Sequence, residues 1–206
     1  MNEAQWVHDH LNPQGLPSPV RLEKFGRREL VKLYHTLGYM RGAEIGVAEG
    51  RHAKQLCDYN PGVYLLCVDP WIRYVGNPCD GPQKQHNRNI GIAKRILEPF
   101  DCEIIQAFSM DAVKGVELDS LDFVYIDANH AFEFAMMDII EWARRVRSGG
   151  IVSGHDYWPL VRDGGVVQAV DAYVLTHGVE EWFLTSEDKQ KSWFWIREPS
   201  PVEGPK

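Results

Sequence analysis

The chain has 206 residues, 44% hydrophobic and 25% charged, a balance that excludes a disordered chain and fits one domain able to bury a core. Its net charge of −7 excludes the broad basic footprint that general nucleic-acid binding needs. No window approaches the ~18 apolar residues of a membrane span, and the opening MNEAQWVHDHLNPQG has no apolar stretch of the secretory-signal kind.

Residues 1–40 are expected to form an N-terminal helical segment packing on a core of 41–198. Within that segment GRRELVKLYHTLG (26–38) spaces Leu30, Leu33, Tyr34 and Leu37 as a helix does, and Gly38 stops it. GAEIGV (42–47) reads as a buried strand, RHAKQLCDY (51–59) as a helix, and VYLLCVD (63–69) as a second strand ending on an aspartate. Residues 70–85 carry three prolines and two glycines and read as loop. The segment 72–86 is a candidate lid on the ligand side. NRNIGIAKRILEPF (87–100) is helical, and CEIIQAF (102–108) and LDFVYIDA (121–128) are strands. FEFAMMDIIEWARRVR (132–147) is an amphipathic helix with Phe132, Ala135, Met136, Ile139, Ile140 and Ala143 on one face. GGIVSG (149–154) is a strand and GVVQAVDAYVLTHG (165–178) a helix. EEWFLT (180–185) and SWFWIRE (192–198) pair as an aromatic hairpin whose rings read as core rather than as a binding platform. The Pro-rich end, 199–206, is expected to be a flexible tail.

Apolar strands alternating with helices predict an α/β fold: a Rossmann-like, doubly wound, mostly parallel sheet with a C-terminal antiparallel hairpin. Ligands of such sheets bind at the carboxyl ends of the strands. Cys57, Cys67, Cys79 and Cys102 have no CxxC spacing and read as reduced thiols of a cytoplasmic protein.

Four stretches place chemistry at those strand ends. EIGVAEG (44–50) is a glycine-containing turn after the first core strand, without the pattern of a dinucleotide fingerprint or the lysine of a phosphate loop. Asp69, ending the next strand, is placed to accept from the two hydroxyls of a ribose, although it could also be a turn aspartate before Pro70. In IDANH (126–130), Asp127 can ligate a hard cation and His130 can act as a base; taken alone, the pair could equally be a helix cap and a solvated ring. SGGIVSGHDYW (148–158) ends on His155 and Asp156. If its strand neighbours that of Asp127, two carboxylates and two imidazoles converge, a set that suits a divalent ion and a base.

Together EIGVAEG, CVDPW, YIDANHAFEFAMMD and RSGGIVSGHDYW resemble, in order and spacing, the class I S-adenosylmethionine-dependent methyltransferases, in their small-molecule O-methyltransferase branch. The likeness covers residues 42–198. It implies a seven-stranded sheet closed by the hairpin, with Glu44, Gly46 and Gly50 around the methionine and sugar of the cofactor and Asp69 on its ribose. It further implies Ser109 and Met110 at the adenine, Trp71 stacked nearby, and Asp127 at the edge of the cofactor. By resemblance to metal-dependent members, Asp127 and Asp156, with His155 beside them, would hold Mg2+ or another divalent ion. His130 matches the base of sugar-modifying members. Two positions depart from the pattern: Ala48 stands at the usual middle glycine, and His155 stands where an acid is common, a poorer Mg2+ ligand that leaves a softer metal, or none, as the alternatives.

The expected activity is methyl transfer to a hydroxyl of a sugar or phenol. The expected partner is a small-molecule acceptor, not nucleic acid or membrane, with a homodimer left open. The competing readings are a nicotinamide-dependent oxidoreductase, disfavoured by the missing glycine fingerprint, and a nucleoside-cofactor-binding protein without turnover.

Overall fold

The expected alternation of strands and helices is visible throughout the computed structural model, which describes residues 2–74, 81–158 and 164–198. The predicted tail at 199–206, Cys79 and part of the 72–86 segment lie outside those residues. In chain order the elements are α1 (Glu3–Leu11), β1 (Val20–Leu22), α2 (Arg27–Thr36), β2 (Arg41–Ile45), α3 (Arg51–Tyr59), β3 (Tyr64–Val68), α4 (Gln83–Leu97) and β4 (Cys102–Ile105). There follow α5 (Ser109–Ala112), β5 (Leu121–Ile126), α6 (Phe132–Ala143), β6 (Val146–Tyr157), α7 (Val166–Thr176), β7 (Phe183–Thr185) and β8 (Lys191–Ile196).

Among the described residues one sheet runs β1-β7-β8-β6-β5-β2-β3-β4. Strands β2 to β6 are parallel, and β8 enters antiparallel between β6 and β7. The sheet has one strand more than the sequence indicates. The extra strand, β1, is three residues long and pairs in parallel with β7, Val20 opposite Phe183. From β2 the chain winds outward to β3 and β4, then crosses back to β5 and β6. The switch point therefore lies between the carboxyl ends of β2 and β5, where sheets of this type bind ligands.

Apolar layers cover both faces. One combines Leu30, Tyr34, Leu56, Phe123, Tyr125 and Phe194 beneath α1 to α3. The other sets Ile139, Trp142, Val170, Trp193 and Trp195 beneath α6 and α7. Alternation sends Phe194 to the first layer and its neighbours Trp193 and Trp195 to the second. Phe183 and Phe194 stack at 4.9 Å, and Trp193 and Trp195 at 5.1 Å. The aromatic hairpin is core, as its sequence indicates.

Helix α6 is shorter than its sequence pattern. It ends at Ala143, and Arg147 moves into β6, where it bonds Asp122 at 2.7 Å. Ala135, Ile139 and Ala143 are buried as expected, but Asp138 and Trp142 are buried with them and Phe132 is exposed. Strand β6 carries an irregularity: Gly154 faces Trp193 and Tyr157 faces Lys191 on β8, so β6 holds one residue more than its partner. Within that bulge Asp156 takes the left-handed conformation, φ 58°.

Candidate active site

A cleft of about 450 Å³ opens over the switch point and contains Gly46, Ala48, Asp69, Trp71, Ser109, Met110 and Asp127 among its walls. Gly46 ends β2 at φ 91°, and a Cβ on it would lie 2.0 Å from the Asp127 carbonyl oxygen. Only glycine lets the ends of β2 and β5 come this close. The turn that follows is held by Asp69. Its Oδ2 accepts from the Ala48 N–H at 2.9 Å and its Oδ1 from the Trp71 N–H at 2.7 Å. The Trp71 indole in turn donates to the Ala48 carbonyl at 2.8 Å. Ala48 and Trp71 are both left-handed, φ 48° and 46°, strain of the kind that gathers where a backbone is shaped for a ligand. Burial raises the Asp69 pKa, and backbone N–H groups oppose that rise. Each carboxylate oxygen has two lone pairs, so the group retains capacity for further donors in the cleft.

At the far end Phe108, Ser109, Met110, Phe134, Met137 and Asp138 form the wall. Tyr74 meets Phe108 edge to face at 5.2 Å, so aromatic rings line this end of the cleft. The Ser109 hydroxyl donates to Asp138 Oδ1 and accepts from the Trp142 indole at 2.8 Å.

Two residues expected at the cofactor, Glu44 and Gly50, do not line this cleft. Glu44 lies on the opposite side of β2, 1% exposed, with Oε1 3.2 Å from His52 Nδ1. Strand alternation turns it toward α3, and burial raises its pKa against the pull of His52. Gly50 precedes α3 at φ 76°, and a Cβ there would lie 3.2 Å from Ala93 Cα. Its smallness serves the packing of α3 on α4, and it is absent from the cleft wall. On the neighbouring strand β6, Tyr157 donates to Asp171 of α7 at 2.8 Å.

Beyond Asp127 a smaller cavity is lined by His130, His155, Asp156 and Trp193. Donor atoms of Asp127, His130 and Asp156 all lie within 4.8 Å of one another. His130 Nε2 is 2.9 Å from Asp156 Oδ2, and His155 Nδ1 reaches the same oxygen at 3.2 Å. In a regular strand His155 and Asp156 would point to opposite faces; the extra residue of β6 brings both into one cluster. Burial alone would raise the Asp156 pKa, but hydrogen bonds from His130 and His155 overcome it and hold the carboxyl well below the usual range. Asp156 Oδ1 is buried with no hydrogen-bond partner. The Trp193 indole donates to the His155 carbonyl at 3.1 Å, so the hairpin buttresses the cluster.

Arg27 is not among the residues that the sequence pattern singles out. This first residue of α2 brings Nη2 to 3.6 Å from Asp127 Oδ2, while its backbone N–H bonds Asp188 at 2.6 Å. Only the packing of α2 on the sheet brings it there.

A glycine-turned cleft at the switch point, a carboxylate ending the second core strand and aromatic residues beyond it are features that nucleoside-cofactor sites of this fold share. Residues 43–157 match a family model described as a methyltransferase domain, over more than half of the chain, and the chain belongs to that family. No curated protein matches the sequence. Among solved structures, an O-methyltransferase from Bacillus cereus in complex with S-adenosylhomocysteine is 15% identical, with TM-score 0.61 over 96% of this chain and 100% of that one. TomG from Streptomyces achromogenes, an O-methyltransferase in complex with S-adenosylmethionine, is 15% identical, with TM-score 0.59 over 94% and 87%. Spermidine synthase from Thermotoga maritima is 15% identical, with TM-score 0.57 over 88% and 64%. At such identity the likeness carries the fold, which serves more than one chemistry.

Proposed function

We propose that the protein transfers the methyl group of S-adenosylmethionine to a hydroxyl of a small molecule, a sugar or a phenol, with a divalent cation assisting. The observation that carries this reading is a shared wall. Asp127 lines the cofactor cleft and also belongs to the cluster with His130 and Asp156. A hydroxyl held at the cluster therefore lies beside the methyl donor, and much of the rate would come from that placement.

In this reading Asp69 accepts from the ribose hydroxyls, Gly46 and Ala48 border the methionine portion, and Ser109 and Met110 border the adenine. His130 takes the hydroxyl proton. Asp156, 2.9 Å from its Nε2, fixes the ring and stabilises the imidazolium that forms. The cluster also fits a cation: three donors converge, and the partnerless Asp156 Oδ1 has an unmet demand. With His130 kept as the base, Asp127, Asp156 and His155, whose Nδ1 lies 3.8 Å from Asp127 Oδ1 and 3.2 Å from Asp156 Oδ2, would hold it, a mixed oxygen and nitrogen set that suits Mn2+ or Fe2+ at least as well as Mg2+. Such an ion, when bound, lowers the pKa of a hydroxyl as a Lewis acid.

A small acceptor is supported by the acidic net charge, and no helix among the described residues is long and apolar enough to cross a membrane. The free thiols of Cys57, Cys67 and Cys102 support the cytoplasmic reading. The test is methyl transfer from S-adenosylmethionine to a panel of sugars and phenols, before and after chelation, with Mn2+ or Mg2+ restored. Turnover with one acceptor, lost on chelation and in His130→Ala, is expected. Turnover indifferent to both would remove the assigned roles of cation and base.

A further inference from the structure

Asp138 is a buried acid in the middle of α6, 4% exposed, yet it forms part of the cofactor cleft wall. Its carboxyl is held in one orientation. The Trp142 indole donates to Ser109 Oγ, which leaves the serine proton to point at Asp138 Oδ1. That oxygen is thereby engaged. No protein group among the described residues bonds Oδ2, and it is not among the fully buried polar atoms lacking partners, so it opens onto the cleft. Burial raises this carboxyl to about 7 and only the serine hydrogen bond opposes the rise, with no cation facing it. The chain has prepared an acceptor and supplied no donor. Around it Phe108, Phe134 and Tyr74 line the cleft with aromatic rings.

We propose that Asp138 reads the adenine of the cofactor, its Oδ2 accepting a hydrogen bond from the 6-amino group. This rests on the S-adenosylmethionine reading of the cleft. Ser109, expected from sequence to touch the adenine, acts instead as a positioning residue, spending its proton on Asp138.

Calorimetric titration of the full chain at about pH 8.5, where Asp138 is ionised and Oδ2 accepts, with S-adenosylhomocysteine and with its 6-oxo (inosyl) counterpart tests the proposal. The wild type should prefer the 6-amino compound by tenfold or more, because a 6-oxo group confronts Oδ2 with a second acceptor. Asp138→Asn keeps the shape. Its Oδ1 still accepts from Ser109, so the amide NH2 faces the cleft as a donor, and the preference should fall to about one or reverse. Asp69→Ala should weaken both compounds while keeping the ratio. An Asp138→Asn ratio equal to that of the wild type overturns the role of Asp138 and leaves the cofactor standing. Wild-type binding of neither compound overturns the cofactor reading and this proposal with it. If melting shows that Asp138→Asn does not fold, Ser109→Ala carries the test. It frees the carboxyl to rotate, and an undiminished preference there overturns the proposal.

Discussion

Asp156 Oδ2 lies 2.9 Å from His130 Nε2, across the ends of two strands that only the sheet brings together. The pair is the best-partnered part of the cluster, and Asp156→Asn keeps its size while removing its charge. We expect kcat to fall ~100-fold or more with little change in the KM for S-adenosylmethionine, because loss of an oriented general base costs about that much. Steady-state kinetics against both substrates will show it, and an unchanged kcat would remove the base and its support from the mechanism.

Asp69→Ala should weaken S-adenosylhomocysteine at least tenfold by calorimetry. The carboxylate holds the Ala48 and Trp71 N–H groups and in the proposed reading also meets the ribose, and losing a charged hydrogen bond costs about 1.5–3 kcal/mol. Unaltered affinity would place the ribose elsewhere.

Ala48→Gly should raise stability by up to about 1 kcal/mol. Ala48 sits at φ 48°, where a Cβ is penalised and glycine is not. A lowered denaturation midpoint would mean that Ala48 makes contacts that outweigh its strain.

Asp138 sets a pH dependence of stability. Its pKa rises from 3.8 to about 7 in the folded chain through burial, opposed by Ser109. The unfolded chain therefore releases this proton first. The stability tied to the protonated form is fully present below about pH 4 and is lost as pH rises toward 7. Asp138→Asn stays neutral throughout. Relative to wild type without ligand, it should gain on the order of 2 kcal/mol between pH 5 and pH 8. Denaturant midpoints at the two pH values measure the gain, and equal differences at both would show that Asp138 is ionised in the folded state.

Much of this was legible in the sequence, and particular residues show why. Arg51–Tyr59 forms the helix its spacing predicts, and solid apolar runs become the parallel strands. Gly46, Asp69 and Asp127 lie together because the switch point follows from strand order. Glu44, expected at the cofactor, is turned toward His52 because a short apolar strand does not announce which face its one polar side chain takes. Val20–Leu22 is too short to show a period, and its partner lies at the other end of the chain. Asp138 closes the stretch YIDANHAFEFAMMD, yet helical spacing assigns it no role, since α5 meets it only in the fold. Arg27 reaches Asp127 only through packing.

The extra residue in β6 has a consequence for the history of such a chain. Loss of one codon there would restore regular pairing with β8, relieve the left-handed Asp156 and swing one of two adjacent polar side chains out of the cluster. The sheet would gain what the centre lost. If the cluster carries the proposed chemistry, that chemistry depends on one extra residue of β6, which a deletion would remove without touching the cleft at the switch point.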